Sequence, residues 1–217
     1  MYKLCVFDLD GTLVNSLKDL AVAVNYALRK ASMPEHREED FRWMVGNGIP
    51  KLIARAVPLG TPKQEEENVY RDMTGYYAAH CMDFTRPYEG TEKLLEALSK
   101  LGIRSAVLSN KEDPFVKTLV NKLFQAAFMT VLGHTEQFPK KPAPDALLYI
   151  LHQAEISREE CLYIGDSDVD VQTAHAAGIA CAGAAWGFRG AEELRQAGAD
   201  KIFDSPDDLR RYLSGSL

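Results

Sequence analysis

Val6-Phe7-Asp8-Leu9-Asp10-Gly11-Thr12 is the stretch on which the fold turns. The apolar run over residues 3–8 reads as a short strand that reaches an aspartate and then meets a glycine. A strand alternates its side chains, so Asp8 and Asp10 point one way and Leu9 the other. Two carboxylates side by side at a strand end repel each other unless they share a cation or a proton. Gly11 lets the backbone turn tightly, and Thr12 offers a hydroxyl and an amide at the same spot. Alone, the dipeptide is also what an ordinary acidic turn looks like.

Outward from this stretch the pattern recurs. Further strand candidates are residues 103–109, 127–132, 161–165, 179–184 and 201–203, rich in Val, Ile, Leu, Ala and Cys without clean alternation. That composition suits parallel strands covered on both faces. Helical patterns over 91–101, 114–124, 143–154, 168–177 and 190–197 separate them, which predicts a doubly wound, mostly parallel α/β sheet. The second strand runs out through Leu108-Ser109-Asn110-Lys111 and the fourth through Gly165-Asp166-Ser167-Asp168-Val169-Asp170. Open parallel sheets bind ligands beyond the carboxyl ends of their strands, so these groups meet Asp8 and Asp10 in one crevice. Asp8, Asp10, Asp166 and Asp170 form an all-oxygen set suited to Mg²⁺. Lys140-Lys141-Pro142-Ala143-Pro144 supplies a rigid turn that can hold an ammonium near an anion. Carboxylates, a hydroxyl, a lysine and a divalent cation together describe phosphoryl transfer.

Residues 9–102 interrupt the alternation, being far too long for a normal crossover. Leu17, Leu20, Ala21, Val24 and Leu28 fall at helical spacing, as do Leu52, Ile53, Ala56 and Val57, and a further helix is expected over 62–80. The predicted organisation is a core of residues 1–14 and 87–217 carrying a helical cap of residues 15–86. Gly46, Asn47 and Gly48 make a loop in the cap, with Lys51 and Arg55 one turn apart behind it. Those cations either meet a substrate carboxylate or form an exposed basic face. Tyr76, Tyr77 and His80 read as a helix-packing face.

The formal net charge of −6 gives no general pull toward nucleic acid or an anionic membrane. No run approaches the ~18 apolar residues of a spanning helix, and nothing at the start reads as a signal peptide. Cys5, Cys81, Cys161 and Cys181 lie far apart, without metal or redox spacing, and are expected to be free thiols. A reducing cytoplasm is the expected compartment.

Four ordered motifs, Asp8-Leu9-Asp10-Gly11-Thr12, Ser109-Asn110, Lys141-Pro142 and Gly165-Asp166-x-x-x-Asp170, resemble those of the haloacid dehalogenase-like hydrolases. Val45-Gly46-Asn47-Gly48, Tyr88-Glu89-Gly90, Ser109-Asn110-Lys111 and Trp186-Gly187-Phe188-Arg189 look like the phosphoglycolate phosphatase branch. The resemblance implies a Rossmann-like core with an inserted helical cap. It implies Asp8 as the nucleophile and Asp10 as the general acid and base. Mg²⁺ would be held by Asp8, Asp166 and the backbone carbonyl of Asp10. Thr12, Ser109, Asn110 and Lys141 would bind the phosphoryl group, and Asp170 would orient Lys141 or a metal-bound water. Gly46, Asn47, Gly48 and Lys51 would contribute to substrate choice. The expected substrate is a small phosphate ester, with phosphoglycolate the first guess.

Some positions depart from the family pattern. Asn15 stands where an aspartate is more common, near the expected cap hinge. Gly133-His134-Thr135-Glu136 replaces a Gly-Asp, and His134 reads as a loop residue. His175 reads as structural and Asp168 as a helix cap; Lys141 is preferred to Lys140 by its adjacency to Pro142. A β-phosphoglucomutase-like mutase and an inorganic pyrophosphatase are the alternatives within the family. A dehalogenase would lack the second aspartate and need no metal, and a silent binding module conflicts with the intact set of motifs.

Overall fold

A computed structural model describes residues 2–125 and 128–215. Its centre is β1 (Leu4–Phe7), whose four residues are all buried. Around it lie β4 (Arg104–Glu112), β5 (Thr130–His134), β6 (Cys161–Gly165), β7 (Ala180–Ala184) and β8 (Lys201–Phe203), in the order β5-β4-β1-β6-β7-β8. Every neighbouring pair is parallel. β1 therefore has its two faces covered by separate layers. Cys5 and Phe7 pack with α4 (Thr91–Lys100), α5 (Asp113–Leu123) and α9 (Pro206–Leu213), while Leu4 and Val6 pack with α6 (Asp145–Ala154), α7 (Asp168–Ala177) and α8 (Gly190–Ala197). Both faces being apolar is why the strands show no alternation. The chain leaves β1 toward β4 and β5, then returns to its other side for β6, so the sheet's switch point lies at the carboxyl ends of β1, β4 and β6.

The long interruption is helical. It contains α1 (Leu17–Lys30), a 3₁₀ turn (Glu38–Trp43), α2 (Ile49–Ala56) and α3 (Lys63–His80). Chain entry and exit run through a ribbon of β2 (Val14–Asn15) and β3 (Arg86–Pro87), with Val14 opposite Pro87 and Asn15 opposite Arg86. Leu20, Ala21, Val24 and Leu28 bury one stripe of α1 as their spacing predicts. Asp19 lies on the same helix and is also buried. Its carboxylate accepts from the amides of Phe84 (3.0 Å) and Thr85 (2.8 Å) and from the Thr85 hydroxyl (2.6 Å). A carboxylate at 3% exposure is tolerated because backbone and side-chain donors replace its water. This contact stitches the start of the helical segment to its end.

Several expectations need correction. β4 does not turn at Ser109 but continues through Lys111 to Glu112, with a register shift after Leu108. β5 begins at Thr130, and Ala127, at the start of the expected strand, lies outside the described residues. His134 is not in a loop; it closes β5 opposite Glu112. α6 starts at Asp145 rather than 143, because Pro142 and Pro144 precede it. The α7 cap is Ser167, not Asp168: the Asp170 carboxylate reaches back to the Ser167 amide (3.1 Å) and hydroxyl (2.7 Å). The ribbon and α9 had no clear signal in the sequence. All four cysteines are buried and free, and no described helix is long and apolar enough to cross a membrane.

Replacing Asp19 with Ala strands the buried amide and hydroxyl of Thr85 and loosens the Phe84 amide, and each unsatisfied buried donor costs about 1–3 kcal/mol. Asp19→Ala should therefore lower the thermal midpoint by several degrees in a calorimetric scan, and Asp19→Asn by less.

Candidate active site

Three strand ends deliver the site. Asp8 follows β1 and is 7% exposed; Asp166 follows β6, and Asp170 sits in the first turn of α7. One oxygen from each of these three carboxylates lies within 4.8 Å of the others. Local sequence enforces the crowding. A Cβ at Gly165 would overlap Asp170, one at Gly11 would overlap Asp166, and one at Gly187 would overlap both Asp166 and the Gly11 carbonyl. Gly11 also takes a φ of +89°, which a side chain resists.

Lys141 answers this charge. Its ammonium is 2.7 Å from Asp170 Oδ1 and 2.9 Å from Asp8 Oδ1, and it donates to the Leu108 carbonyl (3.3 Å). The Tyr163 hydroxyl lies 3.1 Å from the same ammonium and 3.2 Å from Asp170. Burial works against the ammonium, yet Asp170 and Asp8 hold its pKa well above the usual lysine range. Asp8 keeps one oxygen, Oδ1, in ion-pair contact with Lys141 but without a hydrogen bond, and the buried Thr12 hydroxyl is also unpartnered. Burial pushes the Asp8 carboxyl up to about 7, with Asp170 and Asp10 adding to the shift and Lys141 opposing it. Asp166 is raised by burial too, and then by Asp170 and Asp8.

Three carboxylates against one ammonium would, if all ionised, leave two negative charges uncompensated, and that crowding adds to burial in raising Asp8 and Asp166. A buried, all-oxygen set of three carboxylates fits a hard divalent cation, which would displace their protons.

Asp10 is managed separately. Ser16 donates to its Oδ1 at 2.5 Å, and the Lys111 ammonium lies 2.8 Å from Oδ2 and 3.1 Å from Oδ1. Lys111 is itself buried and stands over the Tyr77 ring of α3, 4.8 Å from its centroid. Burial pulls the Lys111 pKa down, but Asp10 and Tyr77 together carry it above the usual lysine value.

Between sheet and helices lies a cavity of about 30 Å³, room for little more than a water or two. Asp8, Asp10, Ser109, Asn110 and Lys111 line it from the core; Leu20, Val45, Gly46, Gly48, Ile49 and Leu52 line it from the helical segment. Gly46 and Gly48 thus reach the site, whereas Asn47 and Lys51 do not line the cavity. The Asn47 side-chain Oδ1 accepts from Arg55 (2.7 Å), which also donates to the Met44 backbone carbonyl, and Lys51 is exposed. The Asn110 side chain is occupied: Nδ2 donates to the carbonyls of Gly46 and Lys141, and Oδ1 accepts from the Lys141 amide at 2.8 Å. The Ser109 hydroxyl accepts from the Lys111 amide. Lys140 reaches across to Gly48, where an added Cβ would lie 2.6 Å from its ammonium. Sequence reasoning overlooked Ser16, Tyr163 and above all Lys111, although a lysine inside a buried strand run two residues after Ser109 was the available signal.

A sequence profile for the Haloacid dehalogenase-like hydrolase family matches residues 5–184. A curated phosphoglycolate phosphatase from Pseudomonas syringae pv. tomato is 35% identical over 99% of this chain and 80% of that protein. Another, from Haemophilus influenzae, is 35% identical over 98% of this chain and 97% of its own. A solved structure from Lactobacillus delbrueckii subsp. bulgaricus superposes with a TM-score of 0.93 at 30% identity, covering 98% of each chain. The chain belongs to the haloacid dehalogenase-like hydrolases and is an enzyme of that family.

Proposed function

We propose that this enzyme is a Mg²⁺-dependent phosphatase that hydrolyses a small phosphate monoester, phosphoglycolate first among them, through a phosphoryl group carried on Asp8. The observation that carries the reading is the buried Asp8 carboxylate, grouped with Asp166 and Asp170, paired with Lys141 and set on the wall of the cavity that Asp10 and Lys111 share. The name of the curated relatives at 35% identity supports the substrate.

Asp8, Asp166 and Asp170 surround the place where Mg²⁺ would sit, with Asp8 and Asp166 as carboxylate ligands and the Asp10 carbonyl as a further one. When bound, the cation offsets the charge repulsion between an anionic nucleophile and an anionic phosphate. Asp8 attacks phosphorus in line, and the ester P–O bond breaks. Asp10 gives a proton to the leaving oxygen, then takes one from the water that cleaves the Asp8–phosphoryl bond. Lys141, with Thr12 and Ser109, holds the transferring oxygens. Asn110 acts through the backbone of Lys141, which its side chain brackets. Asp170 fixes the Lys141 ammonium. Residues 15–86 act as a cap that must swing away on the β2–β3 ribbon to admit substrate, since the cavity as it stands is too small for it. The cytoplasm remains the proposed compartment.

Phosphate release from phosphoglycolate and a panel of metabolite esters tests the reading. Asp8→Asn should lose at least about 10³-fold in kcat. Lys141→Ala should raise the barrier by ~3 kcal/mol, a loss of about 10²-fold. Metal-replete protein that released no phosphate from any ester would sink the phosphatase reading, and isomerisation of a sugar phosphate without net release would replace it with the mutase.

The raised Asp8 and Asp166 carboxyls give a second test. Between the unfolded aspartate value of 3.8 and about 7, the folded site keeps protons that the unfolded chain has released. Stability of chelated protein should therefore fall as pH rises through that window. A cation competes with those protons, so Mg²⁺ should raise the thermal midpoint more at about pH 8 than at about pH 5. Equal shifts at both would count against a cation among these carboxylates.

A further inference from the structure

Trp186-Gly187-Phe188-Arg189 lies between β7 and α8 and is used by nothing in the mechanism above. Its contacts run in two directions. Toward the core, the Trp186 indole donates to the Thr12 carbonyl (2.9 Å), Gly187 packs against Asp166 and Gly11, and the Phe188 amide donates to Asp166 Oδ2 (2.8 Å). Toward the helical segment, the Phe188 carbonyl accepts from Arg42 Nε (2.8 Å), and Arg189 donates to the Val45 carbonyl (3.1 Å). The Arg189 guanidinium also lies over the Trp43 ring, 5.1 Å from its centroid. The two arginines reach in opposite directions across one gap, each taking a backbone carbonyl on the far side. Both bonds are charge-assisted, the stronger kind. One residue, Phe188, joins the halves: its N–H is on a carboxylate of the proposed cation site and its C=O is on the helical segment.

We propose that Trp186–Arg189 is the clasp that holds the Val45–Gly48 loop over the site, with Arg42 and Arg189 as positioning residues and Phe188 relaying the state of Asp166 to the clasp. One oxygen of Asp166 lies within 4.8 Å of oxygens of Asp8 and Asp170, the three that would share a cation. A cation shared with Asp8 would brace Asp166 and, through its hydrogen bond, the Phe188 peptide whose carbonyl Arg42 already takes. The clasp itself rests on geometry alone, while the relay rests also on the cation reading of the preceding section.

Hydrogen–deuterium exchange of the whole chain, with and without Mg²⁺, separates these claims. Arg42→Ala and Arg189→Ala should each speed exchange in peptides spanning residues 42–53 about tenfold, the weight of one charge-assisted hydrogen bond, and leave β1 and β6 unchanged. Arg42→Lys, which keeps a charged donor, should restore part of the protection. No change in residues 42–53, or faster exchange everywhere including β1 and β6, overturns the clasp. In wild type, Mg²⁺ should slow exchange in residues 42–53; in Arg42→Ala that slowing should vanish while Mg²⁺ still raises the thermal midpoint. Slowing that persists in Arg42→Ala overturns the relay. A wild-type protein whose midpoint and exchange ignore Mg²⁺ overturns the relay together with the cation reading, and leaves the clasp to stand or fall on the exchange of the two alanine variants.

Discussion

A single buried ammonium, that of Lys141, makes the rest of the arrangement affordable to the fold. An unpaired charge in such a place is among the costliest things a protein can contain, and so is each carboxylate around it. The structure brings them into contact from separate places in the chain: Asp8 after β1, Asp170 on α7, the Leu108 carbonyl on β4 and Tyr163 on β6. Removing the ammonium leaves three carboxylates crowded together with no counter-charge among the described residues in contact with them. Removing the carboxylates strands a buried cation. The order of the central strands, β4-β1-β6, is what allows one lysine to touch all of these groups.

A second ammonium repeats the device one layer up. Lys111 and Ser16 hold Asp10 as Lys141 holds Asp8, but the walls around Lys111 include Tyr77, which belongs to the helical segment rather than the sheet. The two aspartates of one short loop thus have different surroundings. Asp8 is answered wholly from the core, whereas Asp10 is held by a core lysine that a tyrosine of α3 covers and by Ser16, which directly precedes α1. The setting of Asp10 is consequently more exposed to displacement of the helices than that of Asp8.

Much of this was legible in the chain. Apolar runs without alternation betray a two-faced parallel sheet, and the acidic or amide-bearing ends of three runs locate the crevice. What escaped was of three kinds. Pairings between distant side chains, such as Lys111 with Asp10 or Asp19 with Thr85, leave no local trace, because nothing in a lysine or an aspartate announces a partner so far along the chain. Very short strands, such as β2 and β3, carry too few residues to show a period. The extension of β4 through Lys111 ran against the ordinary expectation that a Ser-Asn pair ends a strand, and tertiary pairing with β5 prevailed. Lys51 misled for the opposite reason: helical spacing placed it beside Arg55, but could not tell that its side of α2 faces water.

Asp166 sits in a slot walled by Gly11 and Gly187, where neither residue could carry a methyl group without striking it, and one of its oxygens is already bonded to the Phe188 amide. Such a carboxylate has almost no rotational freedom to surrender when something binds to it. The entropy of ordering it was settled once, as the chain folded, and is not met again at each turnover. The two glycines act as a mould: by having nothing to offer sterically, they fix the bearing of a charge that sits on another strand.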